Sequence, residues 1–408
     1  MKVSSHIYTT FMPSSNVVSF YSYPPYYGNA KAIYNYLKQL GIEKKFNIKL
    51  LWLVSDKKEE EILKGNSIDA CYIMNTLCLE KYIRSKIHVS DSFFIRSKYL
   101  FKGRGTFFLA TWHGIPFKMA LVKCERTNDT VVDVALATSA FTIPLLSAFL
   151  GIRPSKFRIT GYPRNDALLR MNKDVAKEKI SKIMKINVKE YDSIILYAPT
   201  FRYTYRVTGK RNYIEGEPIR YIGNMNEKQI EKLNKVLKEY NALFIIKYHH
   251  FDEFYLDKVL KVYNKMKKEK YTNIKILSSD EMLKYKADLY EVLPGVDVLV
   301  TDYSSVFYDY LLLDRPIIFY MYDLEKYYKD AGLIVSPKNV QYFLPGPVTK
   351  KADEFISEVE KVLKGIDTFS EKRREFTDLI HEFKDSNSAR RVWELIIKPV
   401  LEERNNGK

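Results

Sequence analysis

The sequence predicts an α/β protein of two domains, each built on a parallel sheet. Three observations predict it. The chain has 408 residues, too many for one ordinary hydrophobic core. Short apolar runs alternate with amphipathic stretches from one end to the other, which is the pattern of parallel α/β layers. A charged stretch from Asn172 to Glu190 separates two such series, with Lys and Glu at helical spacing and little that reads as buried.

In the first series, Val17–Tyr21, Ile48–Val54, Ala70–Met74, Phe107–Thr111, Val132–Ala137 and Phe157–Thr160 read as strands. Between the first two, Asn29 is placed to cap a helix whose apolar positions Ile33, Tyr36, Leu37 and Leu40 share one face. The longest apolar stretch, Val134 to Ile152, is broken by Thr138, Ser139, Thr142, Pro144 and Ser147. It reads as a strand and then a buried helix, short of the roughly 18 apolar residues of a membrane span. The second series offers Ser193–Ala198, Leu243–Tyr248, Ile274–Leu277, Val296–Thr301 and Pro316–Phe319. Between Phe201 and Gly223 the chain is polar, basic and rich in tyrosine without periodicity, which reads as a long loop near a ligand. From Lys351 onward it turns helical and charged, with a last helix over Ser388 to Glu403.

Lys and Arg number 66 against 49 Asp and Glu, a formal charge of +17. Such an excess suits polyanionic partners (nucleic acid, an anionic membrane face or phosphate-rich substrates) or a solvated lysine-rich surface. No signature of a nucleic-acid-binding module accompanies it. Cys71, Cys78 and Cys124 lack CxxC spacing and predict neither a metal site nor a disulfide framework, as in a reducing cytoplasm. The first residues carry no apolar run of a signal peptide. Lys81 to Arg104 mixes basic with aromatic residues, a composition shared by anionic-bilayer surfaces and by solvated connections with a few core aromatics.

Four constellations could carry chemistry. In Thr111-Trp112-His113-Gly114-Ile115-Pro116-Phe117-Lys118 a strand runs into a tight loop, which pushes His113 out at the carboxyl edge of a sheet. An imidazole there suits removal of a hydroxyl proton, and Lys118 can offset phosphate charge. The alternative is a histidine that only closes the loop. In Thr301-Asp302-Tyr303-Ser304-Ser305 a buried strand turns into a helix whose start favours phosphate, with two hydroxyls added. An ordinary serine N-cap would need one of them. Arg202 ends the first strand of the second series, where a guanidinium can grip a diphosphate. His249 and His250 follow the next strand, and alternation sends them to opposite faces, which argues against a shared metal. No phosphate loop, dinucleotide fingerprint, Asp-x-Asp or nucleophile elbow is present.

Taken in order, these motifs resemble the CDP-glycerol glycerophosphotransferases of teichoic acid synthesis. The resemblance runs through Tyr27-Gly28-Asn29, Thr111 to Lys118, Gly161-Tyr162-Pro163-Arg164-Asn165-Asp166, Ala198 to Arg202, Val300 to Ser305, Asp314 to Phe319 and Tyr322 to Tyr327. It implies a GT-B-like fold, two Rossmann-type domains facing across a cleft that holds the active site, with C-terminal helices free to cross back. An acceptor domain would span 1–180, a CDP-polyol donor domain 181–370 and the C-terminal helices 371–408. It implies transfer of glycerol phosphate, or a similar polyol phosphate, from a CDP-polyol to a hydroxyl of a lipid-linked glycan or teichoic acid acceptor, with release of CMP. His113 would be the base and His249 a second catalytic residue. Lys118, Arg164, Asn165, Asp166, Arg202, Thr301, Asp302, Ser304 and Ser305 would bind substrate.

The resemblance implies no metal and no cofactor, and leaves stimulation by a divalent cation open. It makes the segment near 80–105 a candidate membrane face and places the protein in the cytoplasm, peripheral on the inner side of an anionic membrane, without nucleic acid. His-Pro usually stands in the family where this chain has His249-His250. The rival on the same fold is a nucleotide-sugar glycosyltransferase acting on a cell-surface glycan.

Overall fold

The computed structural model describes residues 15–92, 105–118, 127–200, 203–205, 211–213, 222–248 and 271–406. They form two compact units. The first holds 15–115, 127–170 and 379–406 of the described residues, and the second holds 116–118 and 171–378.

The first unit is organised on a seven-stranded sheet, ordered β3-β2-β1-β4-β5-β6-β7 and parallel throughout. Its strands are β1 (Ser15–Tyr21), β2 (Lys49–Val54), β3 (Ala70–Tyr72), β4 (Ser85–Ser90), β5 (Phe107–Ala110), β6 (Val134–Ala137) and β7 (Phe157–Ile159). The central strands are buried on both faces and so read as continuous apolar runs. Val18, Phe20, Leu50, Trp52 and Leu53 have no exposed surface. Helix α1 (Gly28–Gln39) covers them through Ile33, Tyr34 and Leu37, and the Tyr34 ring meets Phe20 and Trp52 at 5.3 and 5.9 Å. Its start differs from expectation. Asn29 does not cap it, because the Asn29 side chain is turned to the end of β5.

Strand β4 is absent from the sequence-based strands, and it lies inside the segment near 80–105 expected at a membrane. Tyr82, on helix α2 (Thr76–Ile83), and Lys86, on β4, are 2% and 4% exposed, and Arg84 pairs with Glu80 at 2.6 Å. The polar residues of β4 are core residues: Ser19 Oγ lies 2.9 Å from His88 Nδ1 between the two central strands. Residues 93–104 lie outside the described part.

The cysteines bring a second correction. Cys71 and Cys78 are joined by a disulfide, with Cα atoms 5.8 Å apart. A turn in which Asn75 N donates to Tyr72 O folds the start of α2 back over β3, a proximity that no linear spacing rule anticipates. The stretch Val134 to Ile152 is the expected strand and helix, β6 and then α3 (Thr142–Leu150).

The second unit has a six-stranded parallel sheet ordered β12-β11-β8-β13-β14-β15. Its strands are β8 (Ser193–Tyr197), β11 (Ala242–Ile246), β12 (Ile274–Ile276), β13 (Val298–Thr301), β14 (Ile317–Tyr320) and β15 (Val348–Thr349). The charged stretch before it has a buried side after all: α4 (Lys173–Met184) is capped by Asn172 and packs Ala176, Ile180 and Ile183 inward. Those three sit at positions four and then three apart among the lysines, a stripe too thin to read as apolar. Helix α5 (Glu227–Glu239) opens with an Asn226–Gln229 capping box and buries Ile230, Leu233 and Leu237 against Phe244 and Phe355. Within the supposed loop 201–223 lies a short antiparallel pair, β9 (Tyr203–Tyr205) and β10 (Arg211–Tyr213).

Candidate active site

In the first sheet the chain runs outward from β1 to β3, then restarts at β4 on the other side of β1. The strand order therefore reverses between β1 and β4, the place where open α/β sheets bind ligands. The loops leaving β1, β4, β5 and β7 meet there, and among their described residues next to the strand ends His113 is exposed.

Trp112 turns the chain out of β5 with φ of 52°, a left-handed conformation that costs a bulky residue about 1–3 kcal/mol. The neighbours hold it. Asn29 Nδ2 donates to Thr111 O at 3.2 Å and to Trp112 O at 2.7 Å, and Asn29 Oδ1 accepts from Arg164 N at 3.1 Å. Arg164 Nη1 donates to His113 O at 2.7 Å. His113 Nδ1 lies 2.9 Å from the main-chain oxygen of Asp91. A carbonyl can only accept, so Nδ1 carries the proton and Nε2 is the acceptor nitrogen of the neutral ring. The loop-closing contact and a basic Nε2 are therefore compatible features of one ring.

The Asp91 carboxylate accepts from Ala30 N at 3.0 Å and from the Thr111 hydroxyl. Burial pushes its pKa up to about 7, against the Thr111 bond, the Arg164 charge and the N–H groups of Ala30 and Asn29. Sequence reading missed Asp91 entirely and gave Asn29 the wrong task. The available signal was the Ile87–Val89 alternation just before Asp91, hidden by Lys86 and His88.

Arg164, Asn165 and Asp166, expected at the substrate, are 3%, 3% and 5% exposed. Arg164 braces the His113 loop. The Asp166 carboxylate accepts from Ser388 N at 2.8 Å and Ala389 N at 2.9 Å, and so holds the start of helix α6 (Ser388–Val392). Gly161 stands at φ 73° where a Cβ would come within 2.6 Å of Ser388 Oγ, so only glycine lets the helix this close.

The second sheet reverses its order between β8 and β13. Thr301 and Asp302 are fully buried and act as ties between those strand ends. Thr301 Oγ1 donates to Ala198 O at 2.8 Å, while Asp302 Oδ1 accepts from Thr200 N at 2.8 Å and Tyr303 N at 2.5 Å. Ser304 and Ser305 are half-buried beyond them. Ser305 stands at the N-cap of the helix Val306–Tyr310, yet its hydroxyl makes no cap bond, and Ser304 Oγ reaches Val306 N only at 3.5 Å. Capping accounts for neither hydroxyl. Lys118 belongs to this second unit and bridges the main chain of Leu333. Arg202 and His249 lie outside the described residues.

The family model for CDP-glycerol:poly(glycerophosphate) glycerophosphotransferase matches residues 5–398. The chain belongs to that family. A teichoic acid glycerol-phosphate transferase of Staphylococcus aureus is 27% identical over 97% of this chain and 98% of its own length. A teichoic acid glycerol-phosphate primase of Bacillus subtilis is 26% identical over 94% of this chain and 92% of its own. The solved wall teichoic acid polymerase TagF (H548A) superposes with a TM-score of 0.73 at 21% identity, over 98% of this chain and 94% of that one. A UDP-GlcNAc 2-epimerase from Neisseria meningitidis reaches 0.50 at 13% identity, over 94% of this chain and 99% of that one, a likeness of fold alone.

In this glycerophosphotransferase-family chain, no group of His, Cys, Asp or Glu among the described residues could hold a metal ion. Nor is any described helix long and apolar enough to cross a membrane. What the geometry offers is an exposed histidine at the edge of the first sheet and, at the edge of the second, two half-buried serines of which Ser305 makes no cap bond.

Proposed function

We propose that this protein moves glycerol phosphate, or a similar polyol phosphate, from a CDP-polyol to a hydroxyl of a lipid-linked glycan or teichoic acid acceptor. The observation that carries the chemistry is the Nδ1 contact of His113 with the Asp91 carbonyl, which makes Nε2 the proton-accepting nitrogen of an exposed residue. In the reaction, Nε2 takes the proton of the acceptor hydroxyl as its oxygen attacks the β-phosphorus in line. A new P–O bond forms to the acceptor, the bond to the CMP oxygen breaks, and CMP leaves with the electron pair. The hydroxyls of Ser304 and Ser305, with Arg202 and His249, oppose the charge that grows on that leaving phosphate.

The reading takes the first unit as the acceptor side and the second as the donor side of a GT-B-like transferase. Arg164, Asn165, Asp166, Thr301 and Asp302 then serve binding by holding loops in place, and Lys118 remains a phosphate neighbour. The enzyme works in the cytoplasm on an anionic membrane face, a placement that rests on the +17 charge and on the chemistry of a lipid-linked acceptor.

The test is CMP release from CDP-glycerol and CDP-ribitol with a lipid-linked disaccharide acceptor. Silence with both donors ends the proposal. His113→Ala should lower turnover by about 10²- to 10⁴-fold, the usual worth of a general base, while CDP-glycerol still binds. Equal loss of binding and turnover would make His113 a ligand contact instead.

A further inference from the structure

Two features of the first unit have no part in the reaction as written, the Tyr27-Gly28-Asn29 turn and Asp91, yet both close on the His113 loop. The main chain of Asp91 is held on two sides. Its N–H donates to Tyr21 O at 3.1 Å, and its carbonyl accepts from His113 Nδ1 at 2.9 Å. Its carboxylate is pinned separately, by Ala30 N and the Thr111 hydroxyl. A Cβ at Gly28 would come within 2.5 Å of Asp91 Oδ2, so the turn admits the carboxylate only because glycine stands there. The place is the start of the 12-residue helix α1, whose free N–H groups favour negative charge.

Among the described residues, the charged and titratable groups facing Asp91 are Arg164, on the loop after β7, and His113, on the loop after β5. Lys31, on α1 itself, is turned over the Tyr26 ring, 5.5 Å from its centre. Tyr82 and His88 pack against each other within the sheet, at 4.8 Å between rings.

We propose that Asp91 is the positioning residue of His113. Its carbonyl fixes the Nδ1–H tautomer and the aim of the ring, and its carboxylate locks that carbonyl to α1. Where it is ionised, the carboxylate also stabilises the imidazolium formed when Nε2 takes the acceptor proton. This rests on the reading of His113 as the base. The link runs through protein groups, and Asp91 is only 3% exposed.

The experiment uses the full chain with CDP-glycerol and the lipid-linked acceptor, and follows CMP release across pH. Asp91→Asn keeps the shape and removes the charge. It should lower kcat roughly tenfold to a hundredfold, a fraction of what a general base supplies, with KM for CDP-glycerol unchanged. The acid limb of the kcat profile, set by protonation of His113, should move to lower pH, because the imidazolium loses its nearby anion. Thr111→Val, which withdraws one hydrogen bond from the carboxylate, should shift the same limb in the same direction by less, and it carries the test if Asp91→Asn does not fold. On a His113→Ala background, Asp91→Asn should cause no further loss. An acid limb that stays in place, or an equal further loss on the His113→Ala background, overturns the positioning role. Full turnover in His113→Ala alone overturns the base assignment, and the positioning role with it. The single and double variants separate those two failures.

Discussion

At the scale of single residues, what matters is which polar groups the fold has already engaged. Thr301 and Asp302 are spent on main-chain partners, whereas the hydroxyl of Ser305 caps nothing. The sequence put all three in one motif and could not rank them, because an N-cap serine and a phosphate-binding serine look alike in a strand–turn–helix string. The difference has a measurable consequence. Ser305→Ala should lower kcat/KM for CDP-glycerol by about tenfold, the loss of one hydrogen bond to a charged group at about 1.5 kcal/mol. The denaturant midpoint should stay unchanged, since a true cap would cost about 1 kcal/mol when removed. A drop in stability without a kinetic effect would return Ser305 to a structural role. His113 was legible from the sequence for a different reason: Gly114 and Pro116 mark its loop without any partner being known.

At the scale of elements, β4 is the one that sequence pattern could not reveal, and it leads directly into Asp91, whose carbonyl holds the His113 ring. Strands buried on both faces announce themselves as apolar runs, but β4 spends its core positions on Ser85, Lys86 and His88. Two buried titratable groups, His88 on β4 and Asp91 just after it, pull stability in opposite directions with pH. Burial lowers His88 from 6.5 to about 3, so the fold favours its neutral form. That contribution is whole above 6.5 and is lost as pH falls toward 3. Asp91 is raised from 3.8 to about 7, so its contribution is whole below 3.8 and is lost as pH rises through 7. Between pH 4 and 6.5 the two slopes oppose each other. Removing one should expose the other: Asp91→Asn should lose stability on acidification more steeply than the parent chain. Urea midpoints at several pH values in that window check it, and parallel curves for the two proteins would show that Asp91 titrates no differently in the folded and unfolded states.

At the scale of the molecule, the two α/β series were readable because each strand and helix carries its own local period, and local periods survive in a single sequence. The composition of the first unit was not readable in that way. Residues 379–406 belong to it, and the ties that put them there span more than two hundred positions, Asp166 to Ser388 and Ala389, and Arg391 Nε to Thr160 O at 2.8 Å. The apolar side of this segment, Val392, Ile397 and Leu401, has no exposed surface, so its docking is part of the first core. Asp166 is the polar hinge of that docking, a carboxylate shared by two N–H groups at a helix start. Asp166→Ala should therefore cost about 1–2 kcal/mol, and the cost should be local first. Hydrogen exchange should show residues 388–406 losing protection well before β1 and β2. Because Arg164, two residues away, braces the His113 loop, turnover should fall with it while CDP-glycerol binding holds. Uniform loss of protection across the first sheet would instead make the C-terminal helices and the sheet one cooperative unit, with Asp166 an ordinary core contact.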